Sequence, residues 1–130
     1  MNAIEILSLK KTYDTGDEAV KGIDLNIKKG SFFGLLGPNG AGKTTTIGIL
    51  TGLVNKTSGS AKILGHDIID DFKSARKSIG LSPQEINLDV FFSIRQILLF
   101  QAGYYGVTQK LAEDRVDTIL KKLDLYHKRN

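Results

Sequence analysis

The chain has no cysteine and no tryptophan, and only 2 prolines and 1 methionine in 130 residues. Without a thiol there is neither a disulfide scaffold nor a cysteine-held metal centre, and a reducing compartment is allowed. No apolar run approaches the roughly 18 residues that a membrane-spanning helix needs. Residues 1–11 lack the basic start and following apolar stretch of a secretory signal. Charge of one sign is not in large excess. The 18 Lys and Arg against 14 Asp and Glu leave +4, which permits contact with nucleic acid, nucleotide or anionic lipid and identifies none of them. Internal repeats and low-complexity linkers are also missing. His66 and His127 have no His, Cys or carboxylate at ligand spacing and read as surface residues. What remains is an ordinary globular composition, 41% hydrophobic and 25% charged, in a length that suits one domain with a real core.

Hydropathy patterning divides the chain. Residues 3–10 carry Ile4, Ile6, Leu7 and Leu9 and read as a strand. After the polar turn Asp14-Thr15-Gly16-Asp17, Ile23, Leu25 and Ile27 alternate with Asp24 and Asn26, the period-two signature of a half-buried strand. Together these predict an antiparallel β-ribbon. Beyond the turn Lys28-Lys29-Gly30, Phe32, Phe33, Leu35 and Leu36 form a continuous apolar run, suited to a strand buried on both faces. A Gly-rich loop at 37–42 follows, then a helix over 43–53 with Ile47, Leu50, Thr51 and Val54 near helical spacing. Further on we expect a loop at 55–60, a strand at 62–64, a helix at 70–77 led by the favourable charges of Asp70 and Asp71, and a short buried strand at 79–81. Ser93 with Gln96 is a capping-box signature for a helix carrying Ile94, Ile97, Leu98 and Phe100. A break at 106–108 separates it from a last helix with Val116, Ile119, Leu120 and Leu123 on one face. Phe91, Phe92, Phe100, Tyr104 and Tyr105 are expected to pack this helical segment or its partner surface, and Lys121, Lys122, Lys128 and Arg129 to be a solvated helix end.

The chemistry is concentrated in Gly37-Pro38-Asn39-Gly40-Ala41-Gly42-Lys43-Thr44, which fits G-x-x-x-x-G-K-[ST]. Glycines let the backbone curl so that successive N–H groups converge on one point and form a nest for phosphate oxygens. The helix opening at Lys43 adds its positive end. Lys43 brings a mobile charge to the β- and γ-phosphates of a nucleotide, and the Thr44 hydroxyl can ligate Mg²⁺. With this composition a random match somewhere in the chain has a probability of about 2%. The position of the loop, after an apolar run and before a helix, is the one the motif requires. The GTP-specific companions D-x-x-G and N-K-x-D are absent, since Asn55-Lys56-Thr57-Ser58 lacks the Asp.

The arrangement resembles the ATP-binding subunit, or nucleotide-binding domain, of ABC transporters. Tyr13 lies at the end of the first strand, 24 residues before the loop, where that family places an aromatic that stacks on adenine. GPNGAGKTTT at 37–46 is close to the family's commonest form of the loop, called Walker A there. Ser82-Pro83-Gln84-Glu85 looks like the family's Q-loop, and TSGSAKILGHD at 57–67 is also family-like. Finer detail leans toward the ABC-2-type exporter group. The resemblance implies an α/β fold: a partial phosphate-loop NTPase core with an N-terminal antiparallel β-ribbon, residues 1–88, and the start of a helical subdomain, 89–130. It implies ATP and Mg²⁺ as cofactors. The nucleotide would be held by Tyr13, Gly37, Pro38, Asn39, Gly40, Ala41, Gly42, Lys43, Thr44, Thr45 and Gln84, and the metal by Thr44 and Gln84.

The departures are equally informative. The LSGGQ-type signature, the Walker B strand with its catalytic Glu, and the switch His are absent; Ile68-Ile69-Asp70-Asp71 is too short and too early to be a Walker B strand. The sequence therefore reads as the N-terminal part of a longer subunit, expected to bind Mg-ATP without hydrolysing it. The resemblance implies a parent ATPase on the cytoplasmic face of a membrane, peripheral through transmembrane permease subunits and dimeric with a second nucleotide-binding domain. Nucleic acid is not expected as a partner, and exposed apolar surface is expected to favour self-association. Two alternatives stay open here: a soluble ABC-family ATPase acting on nucleic acid or ribosomes, and a nucleotide-binding module with a regulatory use.

Overall fold

In a computed structural model of the chain, residues 1–82 and 91–130 are described. Two long strands come first: β1 (Asn2–Thr12) and β2 (Glu18–Lys28), paired antiparallel. After α1 (Lys43–Thr51) come β3 (Ser58–Ile63), β4 (His66–Asp67) and α2 (Phe72–Lys77). The sheet order is β2-β1-β3-β4, so the expected ribbon grows into a four-stranded antiparallel sheet. Further along lie α3 (Ile94–Tyr104), α4 (Gln109–Lys122) and a 3-10 turn, Tyr126–Lys128. The chain divides into two units, Met1–Leu81 and Ser82–Asn130.

In the first unit, Ile6, Leu9, Val20, Ala61 and Ile63 of the sheet bury against Ile49 and Leu50 of α1 and Ala75 of α2. Ile6 and Leu9 are three residues apart, so strict alternation would put them on opposite faces. A bulge resolves this. The register of β1 shifts between Ile6 and Leu9 against β2, Ser8 takes φ +46°, and Leu7 is turned out. The Ser8 amide donates to Asp24 Oδ1 at 2.7 Å, so the ladder bond lost at the bulge is replaced by a side chain. Burying side chains such as Leu9 and Ile49 stabilises the unit by about 1.5–3 kcal/mol each.

Several expectations are corrected. Residues 32–36 form no strand: Phe32 is 104% and Leu36 92% exposed, and their backbone pairs with no described residue. A doubly buried strand needs neighbours, and none of the four strands of this sheet pairs with 32–36. Residues 79–81 are likewise not a strand; Ile79 packs on the core from an irregular segment and Leu81 is exposed. On α1 the inward stripe is Thr46, Ile49 and Leu50, while Ile47 faces out. The expected loop at 55–60 is strand from Ser58 onward, because β1 offers it a partner edge.

In the second unit, Ser93 and Gln96 close the capping box at the start of α3. α4 buries Ala112, Val116 and Leu120, whereas Ile119 and Leu123 of the expected stripe stay exposed. The stripe is narrower because α3 is the main helix packed against it, through contacts that include Arg95 Nε to Asp117 Oδ1 at 3.3 Å. Phe92 and Phe100 meet edge to face at 5.2 Å, and Tyr104 remains exposed. Tyr126 lies between the Lys121 ammonium, 4.9 Å from its ring centre, and the Arg129 guanidinium, at 4.3 Å.

Candidate phosphate-binding site

Residues 37–45 wrap onto the start of α1. Gly40 and Gly42 both take φ +81°, a conformation that costs an L side chain about 1–2 kcal/mol. Gly42 is constrained twice, since a Cβ there would strike the Ala19 carbonyl of β2. This approach sets the N-terminus of α1 against β2. Gly42 is the N-cap, and its carbonyl accepts from the Thr46 amide at 2.8 Å and the Thr46 hydroxyl at 2.8 Å. A glycine has no side chain to cap with, so the first-turn amides of Lys43, Thr44 and Thr45 have neither an intrahelical nor a side-chain acceptor.

Lys43 folds back over the loop. Its Nζ donates to the Gly37 carbonyl at 2.6 Å and the Pro38 carbonyl at 2.7 Å. The Ala41 amide donates to the Pro38 carbonyl at 3.2 Å, which tightens the turn. An ammonium has three donors, so Lys43 keeps one for an anion without leaving the loop. The Thr44 side chain is exposed, with no hydrogen bond among the described residues. An open cleft of about 430 Å³ adjoins the loop, lined by Glu18, Val20 and Ile23 of β2, Leu36, Gly40 and Lys43 among others.

The donor set fits a polyphosphate with its metal: amides at a helix N-terminus, an ammonium and a free hydroxyl, around backbone that only glycine accommodates. The structure brings together Gly37, Pro38, Asn39, Gly40, Ala41, Gly42, Lys43, Thr44 and Thr45. Tyr13 lies one residue beyond β1, 40% exposed, with the Lys11 ammonium 4.8 Å from its ring centre. It is not among the residues lining the cleft. Gln84 lies outside the described residues. The reading from sequence missed the start of β2 as a wall of the cleft, for which no local signal exists. It also gave His66 no partner, yet His66 Nδ1 is 2.7 Å from Asp71 Oδ2. The turn after Asp67, whose carboxylate accepts from the Ile69 amide at 2.8 Å and the Asp70 amide at 3.2 Å and whose carbonyl accepts from the Asp71 amide at 3.1 Å, brings them together. No group of residues able to hold a metal by itself occurs among the described residues.

The profile of the ABC transporter family matches residues 20–130. The chain is 41% identical over 118 residues to the linearmycin resistance ATP-binding protein LnrL of Bacillus subtilis, covering 91% of this chain and 38% of that protein. It is 38% identical to the Nod factor export ATP-binding protein I of Burkholderia pseudomallei, with the same coverage. Among solved structures, cbiO1 from Clostridium perfringens, part of the ABC transporter complex cbiONQ, superposes with a TM-score of 0.75 at 28% identity, over 99% of this chain and 53% of that one. The chain thus spans about two-fifths of the length of these curated relatives. With a family match over most of its residues and a phosphate loop to go with it, the chain belongs to the ABC transporter family.

Proposed function

We propose that these residues form the nucleotide-binding part of an ABC transporter ATP-binding subunit, of the ABC-2-type exporter group. The observation that carries this reading is the uncapped start of α1, where glycine-only backbone presents free amides beside Lys43. The Lys43 ammonium and the amides of 40–45 hold the phosphates, and the Thr44 hydroxyl serves Mg²⁺. Gln84 serves the same metal and the attacking water. Tyr13 stacks on adenine with the ring face that Lys11 leaves open. Mg²⁺ held by these residues would supply positive charge to offset that of the phosphates; this chain's own residues bind and orient.

In the parent, binding and hydrolysis of ATP drive transport through transmembrane permease subunits, with a second nucleotide-binding domain completing each site. That places the subunit at the cytoplasmic face of a membrane. The relatives named for resistance and for export, and cbiO1 as part of a transporter complex, support this assignment. No helix among the described residues is long and apolar enough to cross a membrane. The 130 residues alone bind nucleotide without turning it over, because the sequence holds neither a Walker B carboxylate nor a switch His to position water. Phosphate release in Mg-ATP should match that of a Lys43→Ala control, and a rate above it would show a carboxylate placing water.

The binding experiment uses a fluorescent ATP analogue with Mg²⁺ and two competitors. Pyrophosphate should displace the analogue while adenosine at equal concentration displaces far less, because the loop is built for phosphates. Displacement by adenosine alone would remove the phosphate loop from the site. Tyr13→Ala should weaken binding by about 1–3 kcal/mol and Tyr13→Trp hardly at all; unchanged binding in Tyr13→Ala would make Tyr13 a packing residue.

A further inference from the structure

The strand β1 outruns its partner β3. Ser58, the first residue of β3, stands opposite Lys10, and β1 continues to Thr12. The Thr57 amide donates to the Lys10 carbonyl at 2.9 Å. Past that bond a side chain takes over from the ladder. The Thr57 hydroxyl accepts from the Thr12 amide at 2.9 Å and donates to the Thr12 carbonyl at 3.2 Å. A hydroxyl is both donor and acceptor, so this one group does what a further strand residue would do. On its other edge Thr12 stands opposite Glu18, a residue of the cleft wall.

Tyr13 follows directly. Its amide donates to the Asp17 carbonyl at 2.9 Å, and its carbonyl accepts from the Gly16 amide at 2.9 Å. The backbone polar groups of Thr12 and Tyr13 are therefore all held, those of Tyr13 by the turn and those of Thr12 by the Thr57 hydroxyl. We propose that Thr57 is a positioning residue for the nucleotide base: by gripping Thr12 it fixes the direction in which the chain enters Tyr13, and so the plane of the ring. The proposal rests on the reading of Tyr13 as the residue that stacks on adenine. A ring that is already placed loses less freedom when a base stacks on it. Both Thr57 bonds are open to water, which can replace them at little cost in stability. Water cannot replace the direction they give the chain.

Thr57→Val keeps the branched shape and the amide bond to Lys10, and deletes only the hydroxyl. Its affinity for Mg-ATP should fall about three- to tenfold, within the loss caused by Tyr13→Ala, while its affinity for pyrophosphate with Mg²⁺ stays within about twofold of the unsubstituted chain. Thr57→Ser keeps the hydroxyl and should bind ATP like the unsubstituted chain. In a Tyr13→Ala background Thr57→Val should cost nothing further, since no ring remains to be placed. Calorimetry reads the affinities, and circular dichroism melts check that each variant is folded. Equal losses for ATP and pyrophosphate would make Thr57 a structural residue of the sheet and overturn the proposal. So would a Thr57→Ser chain as weak as Thr57→Val. If Tyr13→Ala weakens ATP binding and Thr57→Val does not, the stacking reading stands and this proposal alone fails. If Tyr13→Ala itself changes nothing, the stacking reading fails and the proposal falls with it.

Discussion

The helices α1 and α3 begin in opposite ways. At α3, Ser93 accepts from the Gln96 amide at 3.3 Å, and the Gln96 side chain accepts from the Ser93 amide at 2.9 Å. Two orphan donors are satisfied inside the helix, leaving less for an outside ligand. At α1 the cap is Gly42, which offers no side chain, and neither helix carries an acid in its first turn. The α1 start is therefore a less stable way to begin a helix and a better way to bind an anion. A helix terminus can be completed by its own side chains, as at α3, or left without a side-chain cap, as at α1. The sealed end lies in the helical unit, where an ordinary fold is needed, and the open end lies at the loop.

Breaking the open end should have the largest effect. Gly42→Ala forces a side chain into left-handed backbone, at about 1–2 kcal/mol, and drives its Cβ into the Ala19 carbonyl. The start of α1 must then move off β2, so nucleotide binding should be lost and the melting temperature lowered. Gly40→Ala has the same φ but open space around its Cβ, and should suffer the backbone strain alone. Calorimetry and thermal melts on the pair separate the two causes. Equal losses in both would mean that the Ala19 contact is unimportant.

Next comes Lys43→Ala. It removes a charge-assisted contact to phosphate, about 1.5–3 kcal/mol, or roughly tenfold or more in affinity. The Gly37 and Pro38 carbonyls are exposed and turn to water, so stability should hardly change. Calorimetry that found wild-type affinity in Lys43→Ala would take the ammonium out of the site. At the sealed end, Ser93→Ala should do the reverse. It costs about 1 kcal/mol of helix stability and leaves nucleotide affinity untouched. A loss of affinity there, in melts and titrations run together, would mean that the two helix starts are not independent.

These contrasts also show which parts of the molecule could be read from sequence. The capping box was legible because its partners are three residues apart and need no third element. So were the alternation of β2 and the phosphate loop, where residue type and spacing carry the conformation. Residues 32–36 misled because a strand's existence depends on its neighbours, and composition cannot supply a neighbour. The bulge at Leu7–Ser8 was hidden for the same reason: it exists to reconcile Ile6 and Leu9 with one core. The β3–β4 hairpin went unseen because its turn is Leu64-Gly65 rather than the Asn-Gly that announces a two-residue hairpin.

A third helix start sharpens the comparison with the smallest expected effect. Asp71 stands at the N-cap of α2, yet its side chain makes no capping bond to the backbone. It accepts instead from the Ser74 hydroxyl at 2.6 Å and lies 2.7 Å from His66 Nδ1. The Ser74 hydrogen bond first, and His66 second, hold the Asp71 carboxyl below its usual range, against a small opposing desolvation. A carboxyl depressed in the folded state adds stability that is present above its unfolded value, about 3.9, and is lost as pH falls through the lower folded value. The contribution is small because the pair is solvent-screened. Melting curves of the wild type and Asp71→Asn, taken from about pH 6 down to about pH 2.5, should differ most at the upper end and converge at the lower. Two curves that stay parallel throughout would mean that Asp71 gains nothing from Ser74 and His66. The α2 start would then be neither sealed nor open, only incidentally acidic.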